Sequence, residues 1–491
     1  MSSSRGRERT ETRQLHNYFG KRVFITIIGE YLNTSILDNI FTMPYPFTLP
    51  TTSAISFITN FNSPVFPSLP LVASEHRGTV RNLLKSYKRL SPSQQATQLP
   101  QLLTALTTYL PNLLFLQSSL HSGDVLPSDS PKPFTPSWRT NLSNTTFPSA
   151  AKRISHPGLD YELAFTLSTL AYIHTLLARS QFHEALSNIF PEKKQTLLNN
   201  AIQNLLTASG IFTYTLTLPQ VPGSAFPVDL CPATISALAS LSLADATLLA
   251  VVKQDPYPNY LALSSGKKEG SGYLYAPPTA PTGVKALLLS RICIAASVHA
   301  EKALGSLVTA DVVPELRKYL ESLQKVARAK ACRFLAIDAE ASGRVGEGIG
   351  WIILARNILG EKGKMKREFL ERREARGIEK ADSTWGLDAG RLEEVRVLEG
   401  LEEKWRRSND AVFFQAIEAE VGLAARIPSG REVHSVKSWE PPTLDAGQKK
   451  GLRREDGLAE RMEALGWGSG SEEEEERPAP SRRANTEGGY Y

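Results

Sequence analysis

The sequence predicts a mainly α protein: a few short N-terminal β-strands, then a long run of antiparallel helices stacked in pairs as in a tetratricopeptide-style solenoid. Two observations carry this. Apolar residues recur at helical spacing over 77–90, 98–120, 158–180, 193–214, 232–253, 284–305, 313–341 and 346–360. The breaks between these windows are rich in Pro, Ser and Gly, as in "SGDVLPSDSPKPFTPS" and "SSGKKEGSGYLYAPPTAPTG". Helix pairs stacking on neighbours give a solenoid, although no clean fixed period links them.

Residues 1–42 open with "MSSSRGRERTETRQ" and turn apolar in "RVFITIIGEYL". Glu8, Glu11 and Glu30 argue against a transit peptide, and the segment reads as an extension, disordered or a gene-model artefact. A fresh start at Met43 leads into "PFTLPTTSAISFITNF" (46–61), whose alternation and Pro/Thr content suit short strands. In "LAFTLSTLAYIHTLLA", Leu163, Leu167, Leu170 and Leu177 recur at helical spacing beside a stripe of Ala164, Ala171 and Ala178, the pattern of a helix packed against two neighbours. "LADATLLAVVKQDPYP" begins as an amphipathic helix and ends in an apolar turn, which leaves core, membrane span and protein-binding surface all open. The alanines of "VARAKACRFLAIDAEAS" permit close helix approach. A densely charged stretch, about 361–407, reads as an insertion, and from 436 the chain reads as a disordered tail ending in "EEEEERPAPSRRANTEGGYY". The globular domain is thus expected over 43–435.

The composition is that of a globular chain of 491 residues, and its net charge of +6 is interspersed, without a nucleic-acid footprint. Cys231, Cys293 and Cys332 stand far apart without C-x-x-C spacing, which argues against a disulfide framework or a zinc site and fits a reducing compartment. The triplets at Asn33, Asn141 and Asn144 are short enough to arise by chance. No uncharged run reaches the roughly 18 apolar residues that span a bilayer.

The search for chemistry is negative. The eight histidines are scattered, with His174 and His299 among apolar helical neighbours, and no metal-ligand, nucleophile-elbow or phosphate-loop motif occurs. "GRVGEGIGWIILARN" imitates a dinucleotide loop, yet Trp351 stands where its third glycine belongs and no strand precedes it. Those glycines read as a break between packed helices. "YPNYL" and "YPFTL" read as a turn and a strand entry. No catalytic, cofactor or metal site is expected, and the chain is read as a non-enzyme.

Several stretches together resemble the Bro domain, the banana-shaped helical module of Alix, rhophilin and fungal PalA. They are "YELAFTLSTLAYIHTLLA", "AIQNLLTASGIFTYT", "PVDLCPATISALASLSLADATLLAVVK", "AKACRFLAIDAEASGRVGEGIGWIILARNIL" and "WRRSNDAVFFQAI", in family order over about 43–420. Within that family, "MPYPFTLPTTSAISF", "KQDPYP" and "FFQAI…IPSGREVHSVKSWEPPTLD" look most like the fungal pH-response regulators. The resemblance implies a curved helical solenoid with a tetratricopeptide-like core. It also implies a cytosolic adaptor of ambient-pH signalling, recruited to plasma-membrane or endosomal ESCRT sites. Its partners would be the C-terminal amphipathic helix of the filament-forming ESCRT-III subunit and other pathway components, with peripheral membrane association as a further possibility and no nucleic acid. The assembled complex leads to proteolytic activation of a zinc-finger transcription factor. A general endosomal-sorting or membrane-surface scaffold is the alternative.

The family's ESCRT-III site is an apolar patch on the convex face. By alignment its aromatic falls on Val251 and its isoleucine on Leu289, with Leu288 and Ile292 beside it. Lys253, Lys285 and Arg291 would meet acids on the partner helix. Val251 is smaller than the family residue, Leu248 replaces a frequent Glu, and Cys231 replaces the usual Ser cap.

Overall fold

The computed structural model describes residues 43–128, 133–144, 153–188, 190–218, 226–265, 281–308, 310–360 and 388–453. Its helices are α1 (Leu69–Tyr87), α2 (Pro92–Ser122), α3 (Leu159–Ser187), α4 (Pro191–Thr215), α5 (Pro232–Val252), α6 (Tyr257–Ser265), α7 (Ala286–Ser306), α8 (Pro314–Ala341), α9 (Val345–Leu359), α10 (Arg391–Ser408), α11 (Glu420–Ala424) and α12 (Ala446–Leu452). Apart from short α6, each helix from α1 to α10 packs on the next in chain order, the stacking expected of a solenoid. The predicted helical windows all fold as helices. The first two begin earlier than the periodicity suggests because their prolines are first-turn residues, where no N–H is required. Ser91 and Gln94 close a capping box at the start of α2, which then runs through Pro100 and Pro111.

The N-terminal strands are shorter than expected. β1 (Phe61–Asn62) pairs with β2 (Leu126–Pro127), and β3 (Ser137–Arg139) with β4 (Arg153–Ser155), both antiparallel. Most of 46–61 is extended without a ladder, joined to β3 at the Thr52–Trp138 bridge and by the Thr52 hydroxyl, which donates to the Ser137 carbonyl. Alternation holds only at its start, where Tyr45, Phe47 and Leu49 are buried and Pro46 and Thr48 are not; Leu49 to Thr52 are then buried in a run. Tyr45 packs edge-on to Tyr319, and Phe47 stacks on Tyr172, so this peptide is wedged between α3 and α8.

Buried charges tie the layers together, each met by partners. Arg77 of α1 donates to Glu162 of α3 at 2.8 and 3.2 Å, and also to the Ser53 carbonyl and the Thr52 hydroxyl. Glu162 further accepts from Tyr109 of α2 and the Trp138 indole. Asp229 accepts from the backbone N–H groups of Asn141 and Leu142 and from Ser143 Oγ, fixing the loop after β3 ahead of α5. At the other end, Arg333 of α8 bridges Asp255 of the "KQDPYP" turn and Glu394 of α10, which Lys330 also reaches at 2.5 Å.

Two domain limits are corrected here. Residues 388–408 are not part of a solvated insertion: Val395, Val397, Leu398, Leu401 and Trp405 bury one face of α10, and Glu394 is fully enclosed. Residues 361–387 lie outside the described set, as do residues 1–42 and 454–491. Residues 436–453, expected as tail, belong to the folded body. After α10 and a π-helical turn at Asn409–Phe413, the chain returns across the stack as a strap. Gln415 accepts from the Gly346 N–H and donates to the Gly343 carbonyl, Arg431 N–H bonds the Arg291 carbonyl, and Trp439 packs on Tyr214. Finally α12 buries Leu452, whose carbonyl accepts from Ser68 N–H just before α1.

One carboxyl gives the fold a pH signature. Asp245, inside α5, is enclosed, and burial pushes it up to about 7 against the opposing Tyr319 hydroxyl, Tyr45 backbone and Arg179 charge. The folded chain therefore keeps a proton that the unfolded chain releases near its ordinary value of 3.8. The stabilisation is full below that value and is lost as pH rises through the folded pKa. Between about pH 5 and pH 8 this group should cost on the order of 2–3 kcal/mol of stability. Urea unfolding of Asp245→Asn should show that pH slope flattened, and an unaltered slope would assign the ionisation elsewhere.

Candidate partner-docking surface

The resemblance places the partner site where the C-terminus of α5 meets the N-terminus of α7. Tyr319 bonds Asp245, and Arg333, further along α8, binds Asp255 beyond the end of α5, so α8 and α5 run parallel. Ser297 Oγ on the Gln324 carbonyl and Arg317 on the Leu307 carbonyl make α7 antiparallel to α8. The two helix ends are therefore neighbours.

The apolar end of α5 is core. Every residue from Ala237 to Val251 is buried, because α4 packs on one side and α7 on the other. By length and apolar content α5 could cross a bilayer, but 83% of its most apolar window is already covered by protein. The three anchors carried over by resemblance are covered as well: Val251, Leu289 and Ile292 are 0%, 1% and 3% exposed. On a free helix pair they would form a patch, whereas here α7 lies between α5 and α8 and turns them inward. Leu288 is half-buried against the same core. The cations differ in their engagement. Arg291 donates Nε to the Ser429 carbonyl at 3.1 Å, and Lys253 donates Nζ to Asn199 Oδ1 at 2.8 Å. Lys285 stands exposed at the N-cap of α7.

What α7 does present is a second apolar line. Leu287 and Val298 are 50% and 53% exposed, with partly buried Ile294 between them. Their i, i+7, i+11 spacing puts them on one outward stripe. The sequence holds this stripe in plain view, but α7 is apolar on nearly every side, so periodicity alone does not separate the outward line from the inward one.

Beside that stripe runs the strap, seated on glycines. A Cβ on Gly350 would lie 2.7 Å from the Glu418 carbonyl and 2.8 Å from Leu423, and one on Gly346 would overlap the Ala416 carbonyl. Gly210 receives Lys437 and Trp439 in the same way, and Gly430 of the strap lies against Ala295 of α7. The run that imitates a dinucleotide loop is thus a docking notch for the chain's own backbone. Among the described residues no group of three His, Cys, Asp or Glu side chains converges as for a metal ion. His174 bonds Asn204, and burial lowers its pKa. Burial also raises the Cys332 thiol to about 12 and pushes the Cys293 thiol further up.

A stack of this order, closed by its own strap, is matched over residues 85–451 by the family described as BRO1-like domain, and the chain belongs to that family. Its curated relatives include pH-response regulator protein PalC of Emericella nidulans, 36% identical over 82% of this chain and 90% of that protein. PalC of Cryptococcus neoformans is 25% identical over 81% and 92% of the two chains. Among solved structures, Alix in complex with the SIVmac239 PYKEVTEDL late domain superposes with a TM-score of 0.50 at 14% identity, covering 82% of this chain and 49% of that one. That likeness is one of fold.

The burial difference along α7 gives a direct comparison. Leu289→Asp forces a carboxylate into the core and should remove at least about 3 kcal/mol of stability. Leu287→Asp, on the outward stripe, should stay within about 0.5 kcal/mol of wild type. Chemical denaturation of the two variants side by side checks this, and equal stabilities would contradict it.

Proposed function

We propose that the chain is a non-enzymatic adaptor of fungal ambient-pH signalling that binds the C-terminal amphipathic helix of the filament-forming ESCRT-III subunit. In this reading it acts in the cytoplasm, is recruited to plasma-membrane or endosomal ESCRT sites, and helps assemble the complex that leads to processing of a zinc-finger transcription factor. The observation that carries the reading is kinship with PalC along nearly the whole of that protein. The burial pattern along α7 supports an outward-facing surface for the partner helix. Leu287, Ile294 and Val298 supply the apolar contacts together with the half-buried Leu288, and Lys285 and Lys253 face acids at one end. Val251, Leu289 and Ile292 hold that surface from beneath, and Arg291 holds the strap alongside it. A few exposed apolar anchors suffice for such helix recognition.

The test is titration of the full chain with a fluorescent peptide of the subunit's C-terminal helix. Saturable binding is expected, and Leu287→Asp combined with Val298→Asp should weaken it by about 30-fold or more, the effect of one or two lost anchors. A well-folded wild type that does not bind, or a double variant that binds normally, would contradict the reading.

A further inference from the structure

The outward line of α7 has a charged neighbour. Along α8, Pro314, Lys318, Glu321, Lys325 and Arg328 are exposed at i, i+4, i+7, i+11 and i+14, a single line along the helix. The antiparallel register of the two helices puts Ser297 level with Gln324 and Leu307 level with Arg317. Val298 therefore stands beside Lys325, Ile294 beside Arg328 and Glu301 beside Glu321. Around the α7 axis, the stripe of Leu287, Ile294 and Val298 lies between Ser297, which faces α8, and Ala295, against which Gly430 of the strap is seated. Leu289 and Cys293 of α7 and Leu323 and Val326 of α8 are buried on the opposite sides, so both exposed lines look outward on one face.

The cations of the α8 line are uncommitted. Elsewhere in the stack Arg77, Lys330 and Arg333 are held by carboxylates. Among the described residues Lys318, Lys325 and Arg328 enter no hydrogen bond and no salt bridge. Glu321 lies within one turn of both lysines and bonds neither. The flank that α8 offers to the stripe is thus basic beside Ile294 and Val298 and acidic one turn further, at Glu301 and Glu321. On the strap side the exposed Arg431 and Glu432 offset one another.

Building on the docking of an amphipathic helix on α7, we propose that Lys325 and Arg328 read a pair of acidic side chains on that helix and so fix its direction and register; the assignment rests on the reading given above. Three residues separate the two cations, a rise of about 4.5 Å, which matches carboxylates at i and i+3 or i+4 of a helix lying along α7. The Arg328 guanidinium takes one carboxylate through paired N–H groups, and the Lys325 ammonium acts as a point charge. A helix docked in the reverse direction turns its acids toward the strap, where Glu432 offsets Arg431. One shifted by a turn brings them to Glu301 and Glu321. The apolar anchors of α7 supply affinity, and the charges beside them select one arrangement.

Titration of the full chain with the fluorescent helix peptide, at low and at physiological salt, tests the assignment. Lys325→Glu with Arg328→Glu alters exposed side chains, so the fold is retained, and the pair should bind about tenfold or more weakly with a flatter salt dependence. Lys318→Glu, beyond Glu321, controls for net charge and should change binding by less than about twofold. A peptide whose acids on one flank are replaced by Lys should bind the double variant better than it binds wild type. Normal binding by the α8 double variant, alongside loss in Leu287→Asp with Val298→Asp, would overturn the assignment and leave the docking surface standing. A wild type that binds no peptide would overturn both. An equal loss in Lys318→Glu would reduce the effect to net charge and overturn the assignment as well.

Discussion

Close contact between the strap's backbone and glycine Cα atoms is the constraint on which this architecture rests. Helices stacked in order bury their faces against neighbours but leave a side across which nothing in the stack itself runs. The strap crosses it, touching α9 at Gly346 and Gly350, α7 at Ala295, α4 at Gly210 and the start of α1 through Leu452. The chain's own end thereby connects layers that are far apart in the stacking order. A side chain at Gly350 would meet the Glu418 carbonyl at 2.7 Å, so the seat exists only because the residue is glycine.

The enclosed charges work at a second level. Each sits where apolar packing alone would allow neighbouring layers to slide: Arg77 with Glu162 across α1 and α3, and Arg333 with Asp255 and Glu394 across α8, the α5 turn and α10. A guanidinium between two carboxylates has one satisfactory geometry, and shifting the helices breaks it. The same clamp explains why the chain turns sharply after α5. Asp255 is held by Arg333 and accepts from Tyr257 N–H, so "KQDPYP" is a turn pinned to the core.

Much of this was legible in the residues, and the exceptions have physical causes. Helical windows showed as apolar recurrences at helical spacing, and the Bro-domain pieces lay in order. Proline at a first helical turn resembles a break, which hid the starts of α1 and α2. Residues 436–453 are polar and proline-rich like a tail, and their packing depends on sparse anchors, Trp439, Leu444 and Leu452. Glu394 and Trp405 sat in a charged stretch whose one apolar face is outweighed by its surroundings. The proposed docking surface was the least legible. A helix enclosed on both sides and a helix kept apolar for a partner have the same composition, and only the burial of Val251 and Leu289 against the exposure of Leu287 separates them. Glycines 346 and 350 imitate a ligand loop but read as a break between packed helices; the strap's seat on them was not legible, because glycine marks any close approach of backbone, whether from a phosphate or from the chain itself.

Amide hydrogen exchange on the intact chain tests the central claim, that strap and stack fold as one unit. Arg431 N–H, bonded to Arg291, and Gly346 N–H, bonded to Gln415, are its most direct reporters. If the strap closes the stack, both should exchange with opening free energies close to those of amides inside α5 and α8. Exchange of Arg431 and Gly346 near the rate of an open chain, with α5 still protected, would mean that the stack stands without its strap.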